Sequence, residues 1–363
     1  MIKRSILLAG VLLLSAAIIK PRKQGIIMKK ALFVFGLIVL ILSCEKNPVD
    51  NNEPTSPEEE RILFIRNVKG KLSQICTMKP DGSGIKVIAH HDYSDDVYYP
   101  QGYMFARWSP DKSKIVVQGG PDSTLEYCPL WLMDMGGNLM YRLIWNGNIP
   151  IWTSDGENVI YSRRRGYFSL TNDIYKININ TLNEETLLFA ETGPPGSNSG
   201  YIYQLLDILP DDNTKLILNE YYSYQDSTGK QTKTDDELLI YDFLNNTKQY
   251  LTDNDLEEGR AKISPDGSLI AYSTCNVGSP SNNLFLMRSN GDSLRQLTFG
   301  STDVYLFFNW SPNGRKIACS KSDQSKGYNP YSDIFIIDIQ TGVVNRLTNT
   351  AQDSISNAVM DWK

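Results

Sequence analysis

The sequence predicts an all-β chain, a six-bladed β-propeller of four-stranded antiparallel blades. Three observations predict it. A phrase built on Trp-Ser-Pro-Asp-Gly recurs in variants, with its anchor residue at Trp108, Trp152, Ile208, Ile263 and Trp310, and Trp362 stands as a sixth anchor with its turn missing. The anchors are 44, 56, 55, 47 and 52 residues apart, close to the length of a four-stranded blade. Between them, short apolar runs alternate or are wholly apolar and end in turn residues, as packed strands should.

The amino terminus comes first. Ile6 to Ile19 and Ala31 to Ser43 are apolar and follow basic residues. Both are shorter than the ~18–20 apolar residues needed to cross a bilayer. Residues 28–43 have the anatomy of an export signal: a basic start at Lys29-Lys30, an apolar middle and a small residue before Cys44. Residues 1–27 are then expected to be an upstream over-extension. Ile41-Leu42-Ser43-Cys44 resembles the bacterial lipobox, which implies lipidation of Cys44. Residues 44–60 are acidic, polar and Pro-punctuated; they read as a disordered tether.

The propeller is expected over 61–363. Blade one begins mid-way, with Ile62 to Ile65, Gln74 to Met78 and Lys86 to Ile88, and lacks an innermost strand. Residues 357–362, aligned on Trp362, supply that strand, and pairing the chain ends closes the ring without free edges. Blade two runs from Tyr103 to Ile144, blade three from Ile149 to Phe189 and blade four from Tyr203 to Thr252. Blade five covers Arg260 to Thr298 and blade six Leu306 to Thr348. Outer turns such as Asn245-Asn246, Asn290-Gly291 and Thr341-Gly342 suit two-residue hairpins. In the Trp310-Ser311-Pro312-Asn313-Gly314 phrase Pro presets the first corner while Asn and Gly tolerate the tighter positions. The anchor itself is expected to pack between blades.

Composition narrows the function. The chain has 363 residues, 41% of them hydrophobic, enough for a large core. Residues 1–43 carry seven Lys or Arg and no acid, so beyond them 29 basic residues face all 41 acidic ones, a net of −12. Such a surface argues against nucleic acid or anionic lipid as the main partner.

Loop lengths divide the two ends of the disc. Connections such as His90–Gly102, Gly119–Pro129, Arg163–Asn172, Ala190–Gly200 and Tyr221–Glu237 are long and share one face, the expected working face. It carries the binding candidates Tyr98, Tyr99, Tyr221, Tyr222 and Tyr224, since Tyr offers large contact area at low entropic cost. The one basic cluster, Arg163-Arg164-Arg165, lies there too and could meet an acidic partner.

Signs of chemistry are sparse. The two histidines, His90 and His91, are adjacent in one expected loop near Asp92, Asp95 and Asp96, where a solvated acidic loop outweighs a metal site. There is no Gly-x-Ser-x-Gly elbow, phosphate-cradling Gly-rich loop or Cys-x-x-Cys pair. Asp173 and Asp333 precede third strands and are expected to bond loop backbone rather than a cation. Beyond Cys44, Cys76, Cys128, Cys275 and Cys319 read as buried thiols, with a Cys275–Cys319 bridge the alternative. The residues before the anchors, Arg107, Ile151, Asp207, Lys262, Asn309 and Asp361, suit a polar channel, self-satisfied or ligand-binding.

The anchor phrases at Trp108 to Asp111, Ser264 to Gly267 and Trp310 to Gly314 resemble the repeat of the TolB-like propellers. So do Asp333 to Asp338 and the terminal Leu-Thr pairs at Leu251, Leu297 and Leu347. The resemblance covers 61–363 and implies a non-catalytic periplasmic scaffold that binds proteins. TolB has an additional amino-terminal α/β domain, for which the stretch from Cys44 to Arg61 leaves no room, so the resemblance is to the repeat. The same repeat occurs in prolyl-oligopeptidase-like enzymes, whose hydrolase domain is not expected here. The oligogalacturonate lyases use several His ligands that this chain lacks. The expectation is a monomeric envelope lipoprotein of a Gram-negative-type bacterium, without cofactor, facing the periplasm or cell surface and binding an envelope protein. A carbohydrate-binding or carbohydrate-processing propeller, with its site at the channel mouth, is the alternative.

Overall fold

The computed structural model describes residues 59–69, 72–92, 102–120, 128–165, 171–193, 199–226, 228–234, 236–276, 279, 281–325 and 327–363. The expected signal segment, the lipidation site Cys44, most of the tether, Tyr98, Tyr99, Asp95 and Asp96 lie outside the described residues. Glu59 to Lys363 make one compact unit.

The chain is an all-β propeller. Strands β1 (Ile62–Val68), β2 (Leu72–Met78) and β3 (Lys86–Asp92) form the first sheet. The second contains β4 (Tyr103–Trp108), β5 (Lys114–Gly119), β6 (Leu130–Asp134) and β7 (Leu139–Ile144). Next come β8 (Asn148–Trp152), β9 (Asn158–Arg164), β10 (Asn172–Asn178) and β11 (Glu184–Leu188). They are followed by β12 (Gly200–Leu209), β13 (Asp212–Gln225), β14 (Gln231–Lys233), β15 (Glu237–Asp242) and β16 (Thr247–Tyr250). Two further antiparallel sheets hold β17 (Leu256–Ile263), β18 (Leu269–Asn276), β19 (Asn283–Arg288) and β20 (Arg295–Gln296), then β21 (Asp303–Trp310), β22 (Lys316–Asp323), β23 (Asp333–Asp338) and β24 (Val344–Arg346). The last strand, β25 (Ile355–Trp362), pairs antiparallel with β1, so both ends of this unit meet in the first sheet. A single 3-10 turn, Ala351–Asp353, is the only helical element among the described residues, and none is long and apolar enough to cross a membrane.

The sheet count departs from six separate sheets. Among the described residues four sheets are four-stranded, while β8 to β16 join into one of nine strands. The join is narrow: a parallel contact between Asn172 of β10 and Ile202 of β12 links two antiparallel quartets. The ninth strand is β14, an added hairpin arm on β13.

The anchors pack as expected. Trp108 sits with Leu63, Ile65 and Ile75 of the first sheet, and Trp152 with Val116, Leu130 and Leu132 of the second. Trp310 packs on Ala271, Leu284 and Leu286, and Trp362 on Ala318, Ile334 and Ile336. Each anchor therefore fills the seam with the preceding sheet. Two also pin it by hydrogen bonds: Trp152 Nε1 donates to the Arg107 carbonyl (3.1 Å) and Trp310 Nε1 to that of Lys262 (2.9 Å).

The turns after Trp108, Trp152, Ile263 and Trp310 repeat one hydrogen-bond pattern. Ser109 Oγ donates to Asp111 (2.6 Å) and accepts the Lys114 N–H (2.9 Å), as Ser264 Oγ does with Asp266 and Leu269. These bonds hold the Asp111 carboxyl well below its ordinary range. Gly267 and Gly314 take positive φ of 71° and 66° there; Lys112 adopts the same left-handed backbone at 57°, where Gly stands in the other turns.

Candidate functional site

Blade-like sheets normally end their second strands together, but β13 does not. It runs for 14 residues, against six to eight in β2, β5, β9, β18 and β22. Six extra residues extend a strand by about 20 Å. The expected loop at Tyr221–Glu237 is therefore largely strand: β13 continues to Gln225, turns at Asp226–Lys230 around Gly229 (φ 84°) and returns as β14.

Strand alternation then sorts the tyrosines. Tyr222 and Tyr224 share one face and stack 6.4 Å apart, while Tyr221 points to the other, with Lys233 Nζ 5.2 Å from its ring centroid. Tyr201, opposite Tyr222 across the strand pair, meets it edge-on at 5.1 Å and stacks on Tyr203 at 6.3 Å. A stripe of four tyrosines thus runs out along β12 and β13. Its root is held by Lys248, which bonds the Glu220 carboxylate and the Tyr203 hydroxyl (2.7 Å), and by Tyr250, which donates to Glu220 (2.5 Å). Burial and the Glu220 charge push the Tyr203 phenol far above its ordinary range. Tyr224, 37% exposed, is the open end of the stripe. Tyr201 and Tyr203 escaped the sequence reading, although Tyr201-Ile202-Tyr203 and Tyr222-Ser223-Tyr224 carry the same alternation.

The arginine cluster divides. Arg163 forks onto Glu184 (2.9 and 3.0 Å) and stacks 3.9 Å from the Tyr175 ring centroid. Arg165 forks onto Asp173 (2.9 and 2.6 Å) and lies 3.7 Å from the Phe189 ring centroid. Only Arg164 stands exposed without an ion pair among the described residues. Asp173 also accepts the Ala190 N–H (2.8 Å), and Asp333 those of Thr350 (2.7 Å) and Ala351 (3.3 Å), so both tie down loop backbone. His90 and His91 lie in strand β3, not in a loop; as neighbours in a strand their side chains leave on opposite faces. Cys76, Cys275 and Cys319 are free thiols, so the Cys275–Cys319 bridge is not formed, and burial pushes Cys76 up to about 11 and Cys319 to about 12.

The residues before the anchors converge at the short-turn end of the channel, where a cavity of about 280 Å³ is lined by Arg107, Asp207, Asn309 and Asp361. Lys262 Nζ pairs with Asp207 (3.0 Å) and donates to the Leu206 carbonyl (2.7 Å); burial pulls its pKa down to about 8. Asp361 accepts the backbone N–H groups of Trp108 (3.1 Å) and Trp362 (2.9 Å) and the Asn309 amide (3.0 Å). Asp207 likewise accepts the Ile263 N–H (3.0 Å). These side chains latch one inner strand to another rather than waiting for a ligand. Asp361→Ala, which orphans two buried N–H groups, should cost about 2–3 kcal/mol of stability in a urea titration; an unchanged midpoint would show that the latch contributes nothing. Among the described residues no group of three His, Cys, Asp or Glu side chains could hold a metal ion.

TolB from Acinetobacter baumannii superposes with a TM-score of 0.59 at 16% identity, covering 83% of this chain and 66% of that one. The Agrobacterium tumefaciens TolB gives 0.57 at 13% identity, covering 83% of this chain and 98% of its own. The chain has the fold of the TolB propellers. At such identities the likeness is one of architecture, and it leaves the tyrosine stripe and channel residues to be read on their own chemistry. No protein-family model matches the chain, and no curated protein sequence does.

Proposed function

We propose that this chain is a non-catalytic, protein-binding propeller of six blades, anchored in the cell envelope by lipid at Cys44. The nine-stranded sheet counts as two blades because a single parallel contact joins its quartets and because β8 and β12 each bring an anchor, as the inner strand of every other sheet does. The signal-like residues 28–43 and the lipobox-like Ile41 to Cys44 support export and anchoring. The partner is an envelope protein, and no cofactor is required.

The observation that carries the binding role is the aromatic stripe on an overlong strand pair. A scaffold has no need to extend β13 by some six residues and line the extension with tyrosines, whereas a recognition surface does. Tyr222 and Tyr224 are its core, Tyr201 continues it, and Arg164 lies at the long-loop end of β9. Tyr221, facing the other way over Lys233, contributes to the hairpin's stability instead.

The test uses the whole lipoprotein, purified in detergent and incubated with envelope extract of its source. Tyr222→Ser combined with Tyr224→Ser should weaken retention of a discrete envelope protein by about 10- to 100-fold while leaving the melting temperature unchanged. Equal retention by the double variant would remove the stripe from the interface. Release of the bound material by soluble oligosaccharide would replace the protein with a carbohydrate ligand.

A further inference from the structure

Above the latch residues the channel closes around a cavity of about 20 Å³. Each of the inner strands β4, β8, β12, β17, β21 and β25 sends the residue three places before its anchor to the wall. Phe105, Ile149, Leu205, Phe307 and Val359 are apolar; the remaining position is Arg260.

An arginine in an apolar ring needs a reason. The Arg260 guanidinium lies 4.2 Å from the Phe307 ring centroid and 5.2 Å from that of Phe105. Among the described residues it has no carboxylate partner. Arg107 lines the same cavity, and its Nε is buried without a hydrogen-bond partner. Lys262 also reaches the wall, but its ammonium is committed to Asp207 and the Leu206 carbonyl. No acidic side chain lines this cavity. Burial and repulsion from Arg107 pull the Arg260 pKa down to about 10. Arg107 Nη1 donates to the Met360 carbonyl, and the carboxylates nearest to it, those of Asp207 and Asp361, line the other cavity, so within this one the Arg260 guanidinium and Arg107 Nε meet no counter-charge.

We propose that this cavity binds one small monovalent anion of chloride size, held between Arg260 and Arg107. The charge follows from the two cations and the absence of any acid in the wall. The size follows from the volume, which admits about one or two water-sized centres and so has no room for phosphate or an organic acid. The anion would neutralise the mutual repulsion that the channel otherwise stores, and so would cement the ring of inner strands.

The experiment is thermal unfolding of the full chain in sodium chloride and in sodium gluconate at equal ionic strength. Chloride at about 150 mM should raise the midpoint by about 2–4 °C over gluconate. Arg260→Met, which completes the apolar ring, should lose that increment, whereas the surface variant Tyr328→Ala should keep it. Should Arg260→Met not fold, chloride-35 line broadening on the native protein provides the second reading: it should saturate and be relieved by bromide. Equal midpoints in the two salts, an Arg260→Met protein with the full increment, or broadening that does not saturate would each overturn the proposal.

Discussion

Trp310→Ala is expected to lower the free energy of unfolding by about 3–5 kcal/mol, as removal of a buried Trp typically does. Trp310 is 2% exposed and fills the seam between its own sheet and Ala271, Leu284 and Leu286 of the preceding one. Its indole N–H also satisfies the buried carbonyl of Lys262, which the variant would leave unpaired. The loss therefore combines a cavity with an orphaned acceptor, at a seam where two sheets meet. Trp152→Ala removes the same pair of interactions and should behave alike. Trp108 packs equally well, but its Nε1 has no partner, so Trp108→Ala should be milder by about 1 kcal/mol. Urea titrations of the three variants beside Tyr328→Ala, a residue 90% exposed, measure the contrast. A Trp310→Ala midpoint no lower than that of Tyr328→Ala would mean that the anchors do not hold the sheets together.

The repeat made much of this legible in advance. Because each anchor phrase is a local event of turn chemistry and strand alternation, its position, its seam and the pairing of β25 with β1 could be read residue by residue. What escaped lay where two strands cooperate. Tyr221, Tyr222 and Tyr224 read as one loop cluster because nothing local announces that β13 continues past the level where second strands stop. The pairing of Tyr201 with Tyr222, which decides which faces meet, is a cross-strand fact. The Arg163-Arg164-Arg165 run looked like a free basic patch because its acids, Asp173 and Glu184, sit on neighbouring strands. The merging of two quartets turns on one contact, Asn172 to Ile202. Polar residues before the anchors suggested a channel site, and the structure shows most of them latching backbone. The arginine among the apolar residues three places earlier drew no notice, since an isolated Arg in a strand has no pattern to break until the inner strands are set side by side.

The last expectation concerns Glu258, 2% exposed on β17 where it faces the quartet of β12, β13, β15 and β16. Its Oε1 accepts the Asn254 amide (2.9 Å), while its Oε2 makes no hydrogen bond. Thr274, directly opposite across the strand pair, and Asn219, whose amide donates to the Glu258 carbonyl (2.6 Å), each leave an oxygen unpartnered as well. Burial, aided by the charges of Glu237 and Asp236, raises the Glu258 pKa to about 7. Against burial and these two acids stand only neutral donors, the Asn254 amide and a backbone N–H, with no cation among the perturbing groups to hold the ionised form. Since the folded value lies above the ordinary glutamate value of 4.5, the neutral carboxyl favours the fold. That contribution is present in full below pH 4.5 and is lost as pH rises through about 7. At about 1.4 kcal/mol per pH unit, the whole span is roughly 3 kcal/mol. The native protein should therefore be more stable at pH 5 than at pH 8, and Glu258→Gln, neutral throughout and still able to accept from Asn254, should flatten that part of the profile. Urea titrations of both proteins at the two pH values decide it. A variant as pH-dependent as the native chain would mean that Glu258 stays ionised in the seam, and that hydration or a bound cation satisfies the oxygens of Glu258, Asn219 and Thr274.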